Sequence, residues 1–143
     1  PLHDRRQRYS GRMARFLALF LTAGLAFLPA QDSKPGPKHV SADELKELMD
    51  KEKGKFFFLD VREPAEIEDM GSVAGYVNIP LGQLEKRLGE IPKDKPVIVA
   101  CRTGRRAETA RKLLENNGYQ VIASCGLLEW KQKDYPLVKP DKK

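Results

Sequence analysis

The chain lacks a long apolar run, an internal repeat and a cluster of residues at metal-ligand spacing. Its most apolar stretch, Phe16–Leu28, is shorter than the roughly 20 apolar residues that a membrane-spanning helix needs. His39 has no partner at a metal-ligand spacing. We therefore assign His39 to the surface and predict no metal site.

The net positive charge is also small once the first 30 residues are set aside. The whole chain has a formal net charge of +6, but residues 1–30 contain five arginines and one acidic residue. The remainder has 21 basic and 19 acidic residues and no pattern of aromatic and basic side chains. The distribution therefore does not favour a nucleic-acid partner. With 41% apolar and 32% charged residues, the composition is that of an ordinary globular protein.

The N-terminal segment has the pattern of an export signal. Arg12–Arg15 is basic, Phe16–Leu28 is apolar with two exceptions, and the small residue Ala30 follows at a plausible cleavage point. We expect residues 13–30 to be a signal peptide that exports the protein, in a bacterium to the periplasm. Contact with a membrane is expected only if this signal is retained as an anchor.

Other boundaries follow from composition. Because Met13 opens the signal, we expect residues 1–12 to be an over-extended gene model. Residues 31–38 are rich in Pro, Gly and Lys and are typical of a linker. The folded domain is then expected over residues 39–134, followed by a polar tail over residues 135–143.

Strand and helix patterns alternate along the expected domain. Continuous apolar runs at Phe56–Val61 and Val97–Ala100 predict strands buried on both faces. Helical spacing is clearest at Ala107–Asn117, before Gly118. The alternation predicts an α/β fold, a mainly parallel open sheet with helices on both faces.

One cysteine lies between a predicted buried strand and the start of a helix. The loop reads Cys101, Arg102, Thr103, Gly104, Arg105, Arg106. A helix start leaves backbone N–H groups unpaired, so such a loop can cradle an anion. The three arginines add full positive charges, and the glycine allows N–H groups to turn inward. We therefore expect Cys101 to react as a thiolate nucleophile.

Two charged residues follow the other buried strand. Asp60 and Arg62 lie at the C-terminal end of Phe56–Val61, and such strand ends form the active-site edge of an open α/β sheet. They either take part in the site directly or pair with nearby groups to hold this edge together. We favour the structural role.

Four blocks of the sequence, taken together, resemble the rhodanese-like single-domain sulfurtransferase family. They are Leu59–Glu63, Gly71 with Asn78–Leu81, Cys101–Arg106, and Gly126 with Trp130. The resemblance covers about Val40–Trp130 and implies a rhodanese-like fold.

The resemblance also implies a reaction. Cys101 would take the sulfane sulfur of thiosulfate or of another persulfide donor, and the resulting persulfide would pass it to a thiol or cyanide. The substrate would be bound by the loop residues Arg102, Thr103, Gly104, Arg105 and Arg106. Neither a metal nor an organic cofactor is implied.

Loop length argues against a related class of enzyme. Cysteine phosphatases and arsenate reductases have five residues between the cysteine and the arginine of their loop, whereas four separate Cys101 from Arg106. A tighter ring of N–H groups suits a persulfide sulfur better than a phosphate. We therefore expect no phosphatase.

The second cysteine leaves a further alternative open. Relatives often have glycine where Cys125 precedes Gly126, and the strand Val121–Ser124 is expected beside Val97–Ala100. Cys125 would then share a sheet edge with Cys101, either as its redox partner or as a small buried residue. Three hypotheses therefore remain: an enzyme, a sulfur-carrier or interaction module, and a redox protein.

Overall fold

A computed structural model describes residues 38–141 of the chain. The expected signal peptide, the residues before it and the linker through residue 37 lie outside the described residues, as do residues 142 and 143. Between residues 38 and 141, no helix is both long and apolar enough to cross a membrane.

A five-stranded parallel sheet forms the centre of the described chain. Its strands are β1 (Lys38–Val40), β2 (Phe57–Asp60), β3 (Val77–Asn78), β4 (Val97–Cys101) and β5 (Val121–Gly126). Their spatial order is β1-β5-β4-β2-β3. The central strand β4 is therefore the one that ends at Cys101, and the expected pairing of the last strand with β4 is confirmed.

Helices connect the strands and begin where local signals predict. They are α1 (Ala42–Lys51), α2 (Pro64–Met70), α3 (Leu81–Leu84), α4 (Arg105–Asn116) and α5 (Leu127–Gln132), and a 3-10 helix, Glu85–Glu90, follows α3. The start of α1 has a complete capping box: the Glu44 N–H donates to Ser41 Oγ, and the Ser41 N–H donates to the Glu44 carboxylate at 2.9 Å. A side-chain acceptor thus satisfies a donor that the helix start leaves open.

The two faces of the sheet bury separate apolar clusters. Alternate residues of β4 point to opposite faces, so Val99 packs with Leu114 of α4 whereas Ile98 packs with Leu45 of α1. Fully burying one such side chain contributes roughly 1.5–3 kcal/mol. This arrangement confirms the predicted α/β fold with helices on both faces and explains why every residue of β4 is buried.

The ends of the domain differ from the sequence expectation. Lys38 already belongs to β1, opposite Ala123 of β5, and not to a linker. Part of the expected polar tail is also folded: the Trp130 Nε1–H donates to the Pro136 carbonyl at 3.0 Å. Val138 exchanges two backbone hydrogen bonds with Ser72, at 2.7 and 2.8 Å. The Pro- and Lys-rich composition did not predict these contacts, because the tail makes them through the backbone groups of Pro136 and Val138.

Candidate active site

Cys101 is the last residue of the central strand. Its side chain is 1% exposed, and the loop 102–104 leads from it to the start of α4. Apolar burial of β4 fixes the position of its carboxyl end, where ligands bind in open α/β sheets. The sulfur therefore lies on a rigid support directly before a helix start.

Gly104 brings a hydrogen-bond donor to this sulfur. Its backbone N–H donates to Cys101 Sγ at 3.0 Å. Its φ of +95° lies in the left-handed region that favours glycine. A Cβ at this position would lie 2.3 Å from His39 Cε1. The backbone conformation thus favours glycine, and the absence of a Cβ lets the imidazole lie against it.

Gly126 allows the loop to approach β5 closely. It is the register partner of Cys101, and a Cβ there would lie 2.7 Å from the carbonyl carbon of Thr103 and 3.0 Å from the Gly104 nitrogen. The Leu128 N–H donates to the Arg102 carbonyl at 2.9 Å. Strand β5 and helix α5 therefore hold the outer side of the loop.

The loop arginines differ in their partners. Residues 38–141 contain six arginines, and four of them pair with carboxylates: Arg62, Arg87, Arg106 and Arg111. Within this part of the chain, Arg102 and Arg105 have no such partner, and both side chains are exposed. Two of the three loop arginines can therefore attract an anion without first giving up a carboxylate.

Arg106, the third, is held by helix α2. Its Nη1 and Nη2 groups donate to the two carboxylate oxygens of Glu66 at 2.6 and 2.7 Å. The Arg106 guanidinium lowers the pKa of Glu66 to about 2, and Glu66 in turn raises the pKa of Arg106. The negative charge of an ionised Cys101 also contributes, to a smaller degree, to the raised pKa of Arg106. Arg106 thus links α2 electrostatically to the cysteine.

A hollow of about 440 Å³ lies against the loop and the start of α4. It is lined by Thr103, Arg105, Arg106 and Thr109. Each of these side chains can donate hydrogen bonds, and none is acidic. The lining therefore suits an anion with several oxygen atoms.

Asp60 and Arg62 form a buried pair below the site. They are 0% and 1% exposed, and Arg62 Nη2 donates to Asp60 Oδ2 at 2.6 Å and to the Gly71 carbonyl at 2.8 Å. The Ser72 hydroxyl donates to the same Asp60 oxygen at 2.6 Å. Such a network satisfies both buried charges. The contacts support the structural role for Asp60 and Arg62.

Cys125 does not face Cys101. It is the register partner of Ala100 and packs in the α1-side cluster, whereas Cys101 packs in the α4-side cluster. Its thiol lies 3.6 Å from the Val99 carbonyl, and burial raises its pKa well above the ordinary value. Both cysteines are free. Because side chains that point apart cannot be bridged without backbone movement, this geometry does not support the redox pair.

Three site features escaped sequence reasoning: Glu66, His39 and the close approach at Gly126. His39 is exposed, as predicted, and its ring also lies against Gly104. Among residues 38–141, no group of three His, Cys, Asp or Glu side chains could hold a metal ion. The site therefore consists of one cysteine, backbone donors and guanidinium groups.

The sequence of this domain matches a known family. The rhodanese-like domain matches residues 41–133, and this range contains β2, β4, β5 and the cysteine loop. The chain belongs to the rhodanese-like family. The resemblance of the four sequence blocks is thereby confirmed.

Individual rhodanese-like relatives cover most of the described chain. The mitochondrial thiosulfate sulfurtransferase of Saccharomyces cerevisiae is 33% identical over 121 residues, which cover 74% of this chain and 80% of that protein. A candidate sulfur carrier protein of Bacillus subtilis is 31% identical over 96 residues, 66% of this chain. The match spans about half, 51%, of that carrier's own length.

A solved rhodanese-related protein supports the fold independently. The crystal structure of this protein from Thermoplasma volcanium aligns with a TM-score of 0.62 at 30% identity. The alignment covers 71% of this chain and 97% of that one. The rhodanese-like fold thus accounts for the strand order and for the placement of the cysteine loop.

Proposed function

We propose that this protein is a sulfurtransferase that moves sulfane sulfur from thiosulfate, or from a persulfide, to a thiol or cyanide acceptor. The observation that carries the proposal is the Gly104 N–H aimed at Cys101 Sγ, at 3.0 Å, from a loop with two unpaired arginines. Backbone donors placed in this way stabilise a sulfur anion without needing to reorganise. The sulfurtransferase relative in yeast supports the same chemistry.

The first half-reaction loads the cysteine. The Cys101 thiolate attacks the outer sulfur of thiosulfate and forms a new S–S bond. The original sulfur–sulfur bond of thiosulfate breaks, and its electron pair leaves with sulfite. Arg102 and Arg105 attract the dianion to the loop.

The second half-reaction restores the enzyme. A thiolate or cyanide attacks the outer sulfur of the persulfide, and the electron pair of the breaking S–S bond returns to Cys101. The Gly104 N–H stabilises the Cys101 thiolate that this step regenerates. Because one cysteine carries the sulfur between two substrates, we expect ping-pong kinetics.

A sulfur carrier is the second candidate. The candidate sulfur carrier of Bacillus subtilis supports it, and the two exposed loop arginines suit an acidic partner as well as a small dianion. A carrier would accept sulfur from a protein persulfide and turn over thiosulfate poorly. Activity that returns only when a protein donor is added would favour this candidate.

Phosphatase activity is not expected. Four residues, and not five, separate Cys101 from Arg106, and Glu66 binds the Nη1 and Nη2 groups of Arg106 at 2.6 and 2.7 Å. Export is a separate proposal, supported by the charge and apolar pattern of residues 13–30.

Steady-state kinetics with thiosulfate and cyanide test the proposed reaction. We expect parallel double-reciprocal plots, no turnover by Cys101→Ser and a raised thiosulfate KM for Arg102→Ala and Arg105→Ala. Lys112→Ala removes an exposed charge further along α4 and serves as the control. Thiosulfate turnover by Cys101→Ser equal to that of the wild type would refute the proposal.

A further inference from the structure

His39 occupies an unexpected position beside the catalytic loop. It lies in the edge strand β1, in register with Ser124 of β5. Its imidazole covers Gly104, since a Cβ on that glycine would lie 2.3 Å from His39 Cε1 and 3.0 Å from Nδ1. Gly104 is buried, although the residues on either side of it are exposed.

Gly104 separates this ring from the reacting sulfur. The same residue donates its N–H to Cys101 Sγ at 3.0 Å. Gly104 thus contacts both His39 and the sulfur, although His39 and Cys101 are far apart in the sequence. An imidazole gains or loses a positive charge between about pH 5 and 8. The exposed side chain of His39 lies against the anion cradle.

Few other charges compete at this position. Arg102 of the loop and Glu129 of α5 line a hollow of about 220 Å³ together with His39. At the start of α4, Arg105 is exposed and Glu108 is bound by Arg111. Strand β5 contributes the uncharged Ser124. Arg102 and Glu129 are residues of opposite charge.

We propose that His39 is a positioning residue whose charge tunes the reactivity of Cys101 through the Gly104 contact. The imidazolium form adds a positive charge beside the cradle and stabilises the anionic sulfur, and the neutral form does not. The ring also holds Gly104 in place in both forms. The inference rests on the proposed role of Cys101 as the sulfur nucleophile.

Alkylation of Cys101 by iodoacetamide tests the proposal without requiring sulfur transfer. The rate is measured from pH 5.5 to 8.5 in the full chain and in His39→Gln, and peptide mass spectrometry separates Cys101 from Cys125. We expect the wild type to react about threefold faster than the variant at pH 5.5. The two rates should converge towards pH 8.5, because a neutral imidazole adds no charge.

A purely structural His39 gives a different result. Loss of packing alone would change the rate by the same factor at every pH, and a constant ratio overturns the proposal. The alkylation result is separate from the proposed function, because a wild type that forms no persulfide still reports the charge of His39 through its alkylation rate.

A measurement on the unmutated protein covers the case in which His39→Gln does not fold. The His39 Cε1–H signal is titrated by NMR before and after Cys101 is blocked with iodoacetamide. Blocking removes the sulfur anion, so we expect the midpoint of the titration to fall by about 0.5 pH units. An unchanged midpoint overturns the proposal.

Discussion

Glu66 on α2 binds Arg106 on the cysteine loop through two parallel hydrogen bonds of 2.6 and 2.7 Å. The two residues are 40 positions apart, and their side chains are 26% and 35% exposed. The pair thus joins a helix after β2 to the helix start after β4. It also distinguishes Arg106 from the other two loop arginines, which have no carboxylate partner among residues 38–141.

Removal of the Glu66 charge should make the free energy of unfolding depend less on pH in the acidic range. The Glu66 pKa is lowered to about 2 by Arg106, so the folded protein keeps this carboxylate ionised where the unfolded chain, with a pKa of about 4.3, takes up a proton. The stabilisation is present above pH 4.3 and is lost as the pH falls towards 2. For this partly exposed pair, we expect Glu66→Gln to lower the free energy of unfolding by about 1 kcal/mol at pH 7.

Urea unfolding of the wild type and of Glu66→Gln at several pH values checks this prediction. The difference between the two proteins should shrink between pH 4.5 and 2. Glu68→Gln, at an exposed position of the same helix, is the matched control and should show little change. A difference between the wild type and Glu66→Gln that stays constant down to pH 2 would contradict the assigned ion pair.

Gly126 should be important for activity, although it is distant from Cys101 in the sequence. A Cβ there would lie 2.7 Å from Thr103 and push the loop away from β5. We expect Gly126→Ala to slow persulfide formation at least about tenfold, because small displacements of catalytic groups are costly. The control Gly82→Ala adds a Cβ that meets nothing within 4 Å. Equal rates for both variants, measured by stopped-flow loading with thiosulfate, would count against the close approach.

Cys125 should be dispensable for sulfur transfer. Its thiol is buried on the face opposite Cys101, and burial raises its pKa. We expect Cys125→Ala to keep the wild-type turnover with thiosulfate and cyanide. Loss of turnover in Cys125→Ala, with its fold intact by circular dichroism, would revive the redox-pair hypothesis.

The segment after α5 should stabilise the domain. Tyr135 packs edge-on against Trp130 with ring centres 5.0 Å apart, and Val138 shares two hydrogen bonds with Ser72. A chain that ends at residue 134 loses both, and we expect a cost on the order of 3 kcal/mol. A chain that ends at residue 139 keeps them and is the control. Equal melting temperatures of the two truncated chains would show that the segment contributes nothing.

Local sequence signals predicted the elements that position the site. Val97–Ala100 is apolar without interruption, and Pro96 and the cysteine loop bound it, so the central strand could be predicted from its pattern alone. The predicted strand Phe56–Val61 likewise contains β2, Phe57–Asp60. Such signals suffice because burial and helix starts act over a few neighbouring residues.

Contacts between distant residues could not be predicted in the same way. The pairing of Arg106 with Glu66 and the covering of Gly104 by His39 depend on strand order and register. The neighbouring strands of the two cysteines were predicted correctly, but the sequence made no prediction about the faces on which the two thiols lie. Since side chains alternate along a strand, the pairing of Cys101 with Gly126 places Cys125 on the other face. A shift of one residue in the register of β4 and β5 would have placed Cys125 on the same face as Cys101.

Intact-protein mass spectrometry before and after exposure to thiosulfate tests the central claim most directly. The protein is first fully reduced, and Cys101→Ser is treated in parallel. We predict a gain of one sulfur atom on Cys101, its removal by cyanide and no gain in the variant. A reduced wild-type protein that gains no sulfur from thiosulfate, or a gain that persists in Cys101→Ser, would contradict sulfur transfer through Cys101.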